Sequence, residues 1–175
     1  MRDLPPPRHP GRYRIAVVCL GNICRSPMAH VVLSSAVADA GLDDRVEVVS
    51  AGTAGWHTGK PMDRRAAATL AAHGYDASRH RAQQFEPAWH EEADVVLAMD
   101  TSNHGDLREL GPVLEEAGQD SGRLLMFRDF DPRATDDDRD VPDPYYGDDD
   151  GFAHVMAIVE RTSAEIVRRL PAVLA

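Results

Sequence analysis

Only two of the chain's 175 residues are cysteine, Cys19 and Cys24. That is too few for a disulfide framework, and their spacing is not the C-x-x-C of structural zinc or thioredoxin sites. Long apolar runs are also missing: nothing approaches the ~20 residues of a membrane span. The proline-rich, charged start at 1–11 has no apolar stretch of the kind that marks a secretory signal. The expected compartment is therefore the cytoplasm, with signal-less export as the exception. Positive charge is in short supply, and a formal net charge of −10 repels nucleic acid and anionic membranes on average. Any phosphate-binding site must be a local concentration of donors. His57, His80, His90, His104 and His154 show no metal-ligand spacing. The aspartates at 136–138 and 148–150 lack the EF-hand order of ligands, glycine and final glutamate. No metal and no cofactor are expected.

What is present is a soluble-domain composition, 43% hydrophobic and 27% charged, in a length that suits one domain. We read a flexible extension at 1–12 and a single domain at 13–175. Residues 14–20 (RIAVVCL) form a short β-branched run of the type buried on both faces of a sheet. A glycine-containing turn follows, then Ser26-Pro27 as helix cap and first helical residue, with the helix running on to a stop at Gly41. Further strands are expected at 45–51, 94–99 and 123–127. Helices are expected at 63–73, at 101–110 with a threonine cap, and at 151–170. This alternation predicts an α/β fold of three layers, a four-stranded parallel sheet with helices on both faces. Ligands in such folds bind beyond the carboxyl ends of the strands, which is where Cys19 falls. Residues 131–150 read as an acidic, proline-containing loop.

The segment Cys19-Leu20-Gly21-Asn22-Ile23-Cys24-Arg25-Ser26 separates a cysteine from an arginine by five residues, between a strand and a helix. Five residues suffice to wrap a loop around a tetrahedral oxyanion so that backbone N–H groups point inward. Gly21 offers the backbone freedom such a loop demands. The helix that follows aims its positive end into the same concavity, and Arg25 supplies a planar fork for two phosphoryl oxygens. A thiol in that field ionises readily and can attack phosphorus in line. Expelling a phenolate then needs a proton. Asp143, stiffened by Pro142 and Pro144 and followed by Tyr145 and Tyr146, is the candidate acid.

These residues, together with Ser50-Ala51-Gly52-Thr53, Trp56, Pro61-Met62-Asp63, His73-Gly74 and Met99-Asp100 in the same order, resemble the low-molecular-weight protein tyrosine phosphatases. The resemblance covers nearly the whole domain. It implies a phosphotyrosine phosphatase working through a cysteinyl-phosphate, with Cys19, Arg25 and Asp143 catalytic and Leu20 to Ser26 binding the phosphoryl group. It further implies that Asn22 braces the loop, that Ser26 hydrogen-bonds the thiolate, and that His73 and Asp100 support the site. Trp56, Tyr145 and Tyr146 would wall the slot for the substrate ring, and Cys24 would form a reversible disulfide with Cys19. The implied partners are phosphotyrosine-containing proteins, a cognate tyrosine kinase, and inorganic phosphate as product or inhibitor.

Three other readings compete. An arsenate reductase on the same fold uses distal cysteines that this chain does not have, although external thiols can replace them. A protein arginine phosphatase typically has threonine where Ile23 stands. A noncatalytic phosphotyrosine-binding module needs neither Cys19 nor Asp143.

Overall fold

The computed structural model describes residues 2–111 and 122–175. Four strands, β1 (Tyr13–Cys19), β2 (Val46–Gly52), β3 (Val95–Ala98) and β4 (Leu124–Met126), form one sheet in the order β2-β1-β3-β4. All three pairings are parallel, with Tyr13 opposite Val46 and Cys19 opposite Gly52 at the two ends of the longest one. The helices are α1 (Arg25–Asp39), α2 (Arg64–Ala72), the single turn α3 (Trp89–Glu92), α4 (Thr101–Leu110) and α5 (Asp149–Leu174). A 3-10 turn, Phe127–Phe130, follows β4.

The alternation of side chains along β1 divides the core in two. Ile15, Val17 and Cys19 point to one face, where they join Met28, Leu33, Leu70, Phe152 and Ile166 from α1, α2 and α5. Ala16 and Val18 point to the other, with Ala51, Val96, Ala98 and Leu107, under α3 and α4. Both faces are covered, as the near-continuous apolar run of β1 requires. The three-layer parallel arrangement is therefore the expected one, and each strand boundary differs by one residue from the range read in the sequence.

Several local expectations need correction. Ser26 does not cap α1: the helix begins at Arg25 with Cys24 at the cap position, because the serine hydroxyl is engaged elsewhere. Asp100, not Thr101, caps α4, its carboxylate accepting from the Asn103 amide at 2.7 Å. Helix α5 starts earlier than expected and carries Asp149 and Asp150 in its first turn, where the positive helix end favours acidic side chains. These two aspartates are thus helical rather than part of the acidic loop.

The lead segment, expected to be flexible, is strapped to the domain. Leu4 is buried, and the Tyr13 hydroxyl donates to the Pro5 carbonyl at 2.8 Å. The Arg8 and Arg14 amides both donate to the carboxylate of Asp94, each at 2.6 Å. Arg123 donates to the Pro6 carbonyl at 2.8 Å and to the Asp94 carbonyl at 2.9 Å. The acidic approach to Asp143 is likewise pinned rather than merely solvated. Arg128 binds Asp131 and Asp138, Arg161 binds Asp131, and Arg139 binds Asp129.

Candidate active site

The turn after β1 is held from outside by three amides. Thr53 and Ala54, just past β2, donate to the carbonyls of Cys19 and Leu20, each at 2.9 Å, and Asp63 donates to the carbonyl of Ile23 at 2.8 Å. These bonds fix the orientation of three of the loop's peptide units. Gly52 allows β2 to come this close: a Cβ there would lie 2.6 Å from the Leu20 carbonyl oxygen. The left-handed residue of the loop is Asn22, with φ of 56°, and not Gly21. The glycine instead provides room, since a Cβ on it would meet the His57 ring at 3.0 Å.

Asn22 is fully buried and braces the loop from behind. Its side-chain amide donates to the Ser26 hydroxyl at 2.7 Å and to the Ser50 hydroxyl at 3.1 Å, and its side-chain oxygen accepts from the Gln83 amide at 3.0 Å. Asparagine is among the few non-glycine residues that tolerate this backbone region, and these bonds hold it there. The Ser26 hydroxyl stands 3.0 Å from the Cys19 sulfur and 3.3 Å from the Ala51 carbonyl. It is thus placed to stabilise an anionic sulfur.

His73 does not belong to this network. It closes α2, and its Nδ1 lies 3.6 Å from a Glu160 carboxylate oxygen on the surface. The histidine behind the loop is His80, whose Nε2 is 2.7 Å from the Asn22 carbonyl. A carbonyl only accepts, so Nε2 carries the proton. His30, on α1, meets the Ser50 hydroxyl through Nδ1 at 3.1 Å. Burial pushes both imidazoles below the ordinary histidine value, which keeps them neutral near pH 7.

Arg25 is almost fully buried. One guanidinium nitrogen donates to Asp100 at 2.6 Å and to the Val141 carbonyl at 3.0 Å, while the other lies 3.6 Å from an Asp143 oxygen. Burial alone would disfavour its charge, but the negative groups at Cys19, Asp100 and Asp143 outweigh this and raise it above the ordinary arginine value. Asp100 therefore has two tasks, capping α4 with one oxygen and orienting Arg25 with the other. Val141 is tied in turn to the end of β3, its amide donating to the Met99 carbonyl at 2.7 Å.

Cys19, Leu20, Gly21, Ile23, Cys24 and Arg25 share a pocket of about 150 Å3 with Trp56, His57, Asp143, Tyr145 and Tyr146. The site residues expected from the sequence thus converge, His73 excepted, and Asn22, Ser26 and Asp100 stand directly behind them. Trp56 is 71% exposed and Tyr146 90%, so both form the rim rather than the floor. Cys24 lines the pocket as a buried thiol, and burial together with the carboxylate of Asp63 pushes its ionisation up, so it stays protonated. Among the described residues, no cluster of three or more His, Cys, Asp or Glu side chains could hold a metal ion.

The residues not foreseen here are His57, which lines the pocket, and His80 and Gln83, which reach Asn22 across 58 and 61 positions, so local spacing carries no sign of them.

The family model described as low molecular weight phosphotyrosine protein phosphatase matches residues 14–173. The low molecular weight protein-tyrosine-phosphatase of Streptomyces coelicolor is 44% identical over 155 residues, 89% of this chain and 92% of its own. Phosphatase A of Mycobacterium tuberculosis is 44% identical over 146 residues, 83% of this chain and 84% of its own. Among solved structures, a protein tyrosine phosphatase from Entamoeba histolytica superposes with a TM-score of 0.82 at 28% identity, covering 91% of this chain and 97% of that one. YfkJ from Bacillus subtilis does so with a TM-score of 0.81 at 30% identity, covering 92% and 96%. The chain belongs to the low molecular weight phosphotyrosine protein phosphatase family.

Proposed function

We propose that this protein hydrolyses phosphotyrosine in proteins through a covalent cysteinyl-phosphate. The observation that carries the reading is the meeting of three groups at one pocket: the Cys19 sulfur beside the Ser26 hydroxyl, the Arg25 guanidinium, and the Asp143 carboxyl within 3.6 Å of that guanidinium. A phosphoryl dianion seated in the loop would be gripped by the loop amides and by Arg25, with the positive end of α1 beneath it. The Cys19 thiolate attacks phosphorus as the bond to the phenolic oxygen breaks, and protonated Asp143 gives its proton to that oxygen. Asp143, now a carboxylate, takes a proton from the water that attacks the cysteinyl-phosphate. Inorganic phosphate leaves, and the thiolate is restored.

The rim suits an aromatic ester. Trp56, Tyr145 and Tyr146 offer apolar faces to a ring, and Ile23 in the loop presents a hydrocarbon side chain where a guanidinium substrate would call for a hydrogen-bonding group. A nucleophilic thiol also needs a compartment that keeps thiols reduced, which favours the cytoplasm. Under oxidation Cys24, which lines the same pocket as Cys19, would capture oxidised Cys19 as a disulfide. Tyr145 and Tyr146 are both exposed, and a cognate tyrosine kinase would reach them there.

The test is turnover of p-nitrophenyl phosphate and of a phosphotyrosyl peptide by the wild type and by Cys19→Ser. The expected result is a burst of nitrophenol from the wild type and no turnover by the variant, which still binds the peptide. A fully active Cys19→Ser protein would sink the covalent mechanism.

A further inference from the structure

Arg65, in the first turn of α2, lies outside the pocket and yet is joined to both loops that build it. Its guanidinium pairs with Asp63 through two contacts of 3.1 Å. From the same group it donates to the Tyr145 carbonyl at 2.9 Å and to the Gly147 carbonyl at 3.3 Å. It also lies over the rings of Tyr145, at 5.7 Å, and Phe152, at 4.7 Å. Asp63 caps α2 with its carboxylate, and its amide is the donor that holds the Ile23 carbonyl. Burial alone would raise the Asp63 carboxyl, but the hydrogen bonds from Arg65 and the helix amides hold it below the ordinary range. The pair is therefore ionic throughout the neutral range.

A continuous line of contacts thus runs around the pocket, from Ile23 in the phosphate loop through Asp63 and Arg65 to Tyr145. The Tyr145 amide in turn donates to an Asp143 carboxylate oxygen at 3.1 Å. The Asp143 carboxyl is 37% exposed and touches Arg25 only at 3.6 Å, so packing alone does not hold it in place. We propose that Arg65 is a positioning residue for proton transfer: by gripping the backbone at Tyr145 and Gly147 it sets the place of the Asp143 carboxyl relative to the phosphate loop. The proposal rests on Asp143 being the acid.

The planar guanidinium makes these bonds from three separate nitrogens, Nε, Nη1 and Nη2, whereas an ammonium has its three protons on one atom. Arg65→Ala should therefore loosen the acid without touching the nucleophile. The experiment measures kcat/KM for a series of aryl phosphates of increasing leaving-group basicity, in the wild type, Arg65→Ala, Asp143→Ala and the double variant. Arg65→Lys serves as the conservative control, and thermal melts confirm that each protein is folded at the assay temperature.

If Arg65 positions the acid, Arg65→Ala loses ~10- to ~100-fold toward phenyl phosphate and little toward p-nitrophenyl phosphate, since misplacement by about 1 Å can cost ~100-fold. Arg65→Lys recovers part of the loss, and in the Asp143→Ala background Arg65→Ala has no further leaving-group effect. An equal loss across the series, or an undiminished loss in the Asp143→Ala background, overturns the proposal while leaving Asp143 as the acid. A series in which Asp143→Ala itself shows no dependence on the leaving group overturns both readings.

Discussion

In the phosphate loop, Asn22 and Ser26 are wholly buried, and the carbonyls of Cys19, Leu20 and Ile23 are each held by a distant amide. Across the pocket, Asp143 and Tyr145 are more than a third exposed, and their loop is fastened by Val141 at its root and Arg65 from outside. The two walls face the same substrate but serve different needs. A dianion is stabilised by dipoles already in place before it arrives. The acid must let a ring in, donate a proton, and let the phenol out, so it sits on a segment whose outer restraint is the long side chain of Arg65. Opposite mutational signatures should follow: damage to the first wall is blind to the leaving group, and damage to the second is not.

The largest effect is expected at the root of the acid wall. The Asp131 carboxylate accepts from Arg161 at 2.7 and 2.9 Å and from Arg128 at 2.9 Å. Arg128 then donates to Asp138 at 2.7 Å and to the Asp140 carbonyl at 2.9 Å. With its carboxylate fully buried, Asp131→Ala should cost ~3–5 kcal/mol, the usual result of removing one partner of a buried ion pair, since Arg161 loses two bonds and Arg128 one. Burial alone would raise this carboxyl, but the hydrogen bonds from Arg161, the Arg133 amide and Arg128 outweigh it and hold it lower than usual. Its contribution is therefore fully present above the unfolded carboxylate value of about 3.9 and is lost as pH falls through the lower folded value. Urea melts of wild type and variant should differ at neutral pH and converge in acid. A gap that widens in acid would contradict the assignment.

Next in size is the phosphate wall. Asn22→Ala removes two donors and an acceptor from behind the loop and puts a residue with no local hydrogen bond into a left-handed conformation. We expect kcat/KM to fall by ~100-fold or more, the scale for losing preorganised donors. The fall should be the same for phenyl and p-nitrophenyl phosphate. A loss confined to poor leaving groups would mean that the two walls are not separable.

The same contrast explains what was legible in the sequence. The phosphate loop is local: a buried strand, a turn and a helix start occupy consecutive residues, and Cys19, Arg25 and the sheet beneath them follow from that order. The supports are not local. His73 follows a helix and precedes a glycine, which makes it conspicuous, but the chain carries it to the surface beside Glu160. His80 reaches Asn22 across 58 positions, with nothing in its neighbourhood to announce it. Ser26-Pro27 is the same string whether the serine caps a helix or faces a sulfur, and only the position of Cys19 decides between them. The aspartates before Asp143 look like solvated loop until Arg128, Arg139 and Arg161 arrive from three separate segments.

The smallest effect is expected at the rim, where neither wall is at stake. Trp56 is 71% exposed, so in the free protein its indole adds little to stability and its removal should leave the melting temperature nearly unchanged. Its faces find a partner only when a ring enters, and an aromatic pair contributes ~0.5–1.5 kcal/mol beyond simple burial. Trp56→Ala should therefore raise KM for a phosphotyrosyl peptide by about 2- to 12-fold, the same energy expressed as affinity, with kcat unchanged. An alkyl phosphate has no ring to offer and should show no change. Equal losses for alkyl and aryl esters would place Trp56 in the support of the phosphate loop, because only a distorted cradle would weaken both.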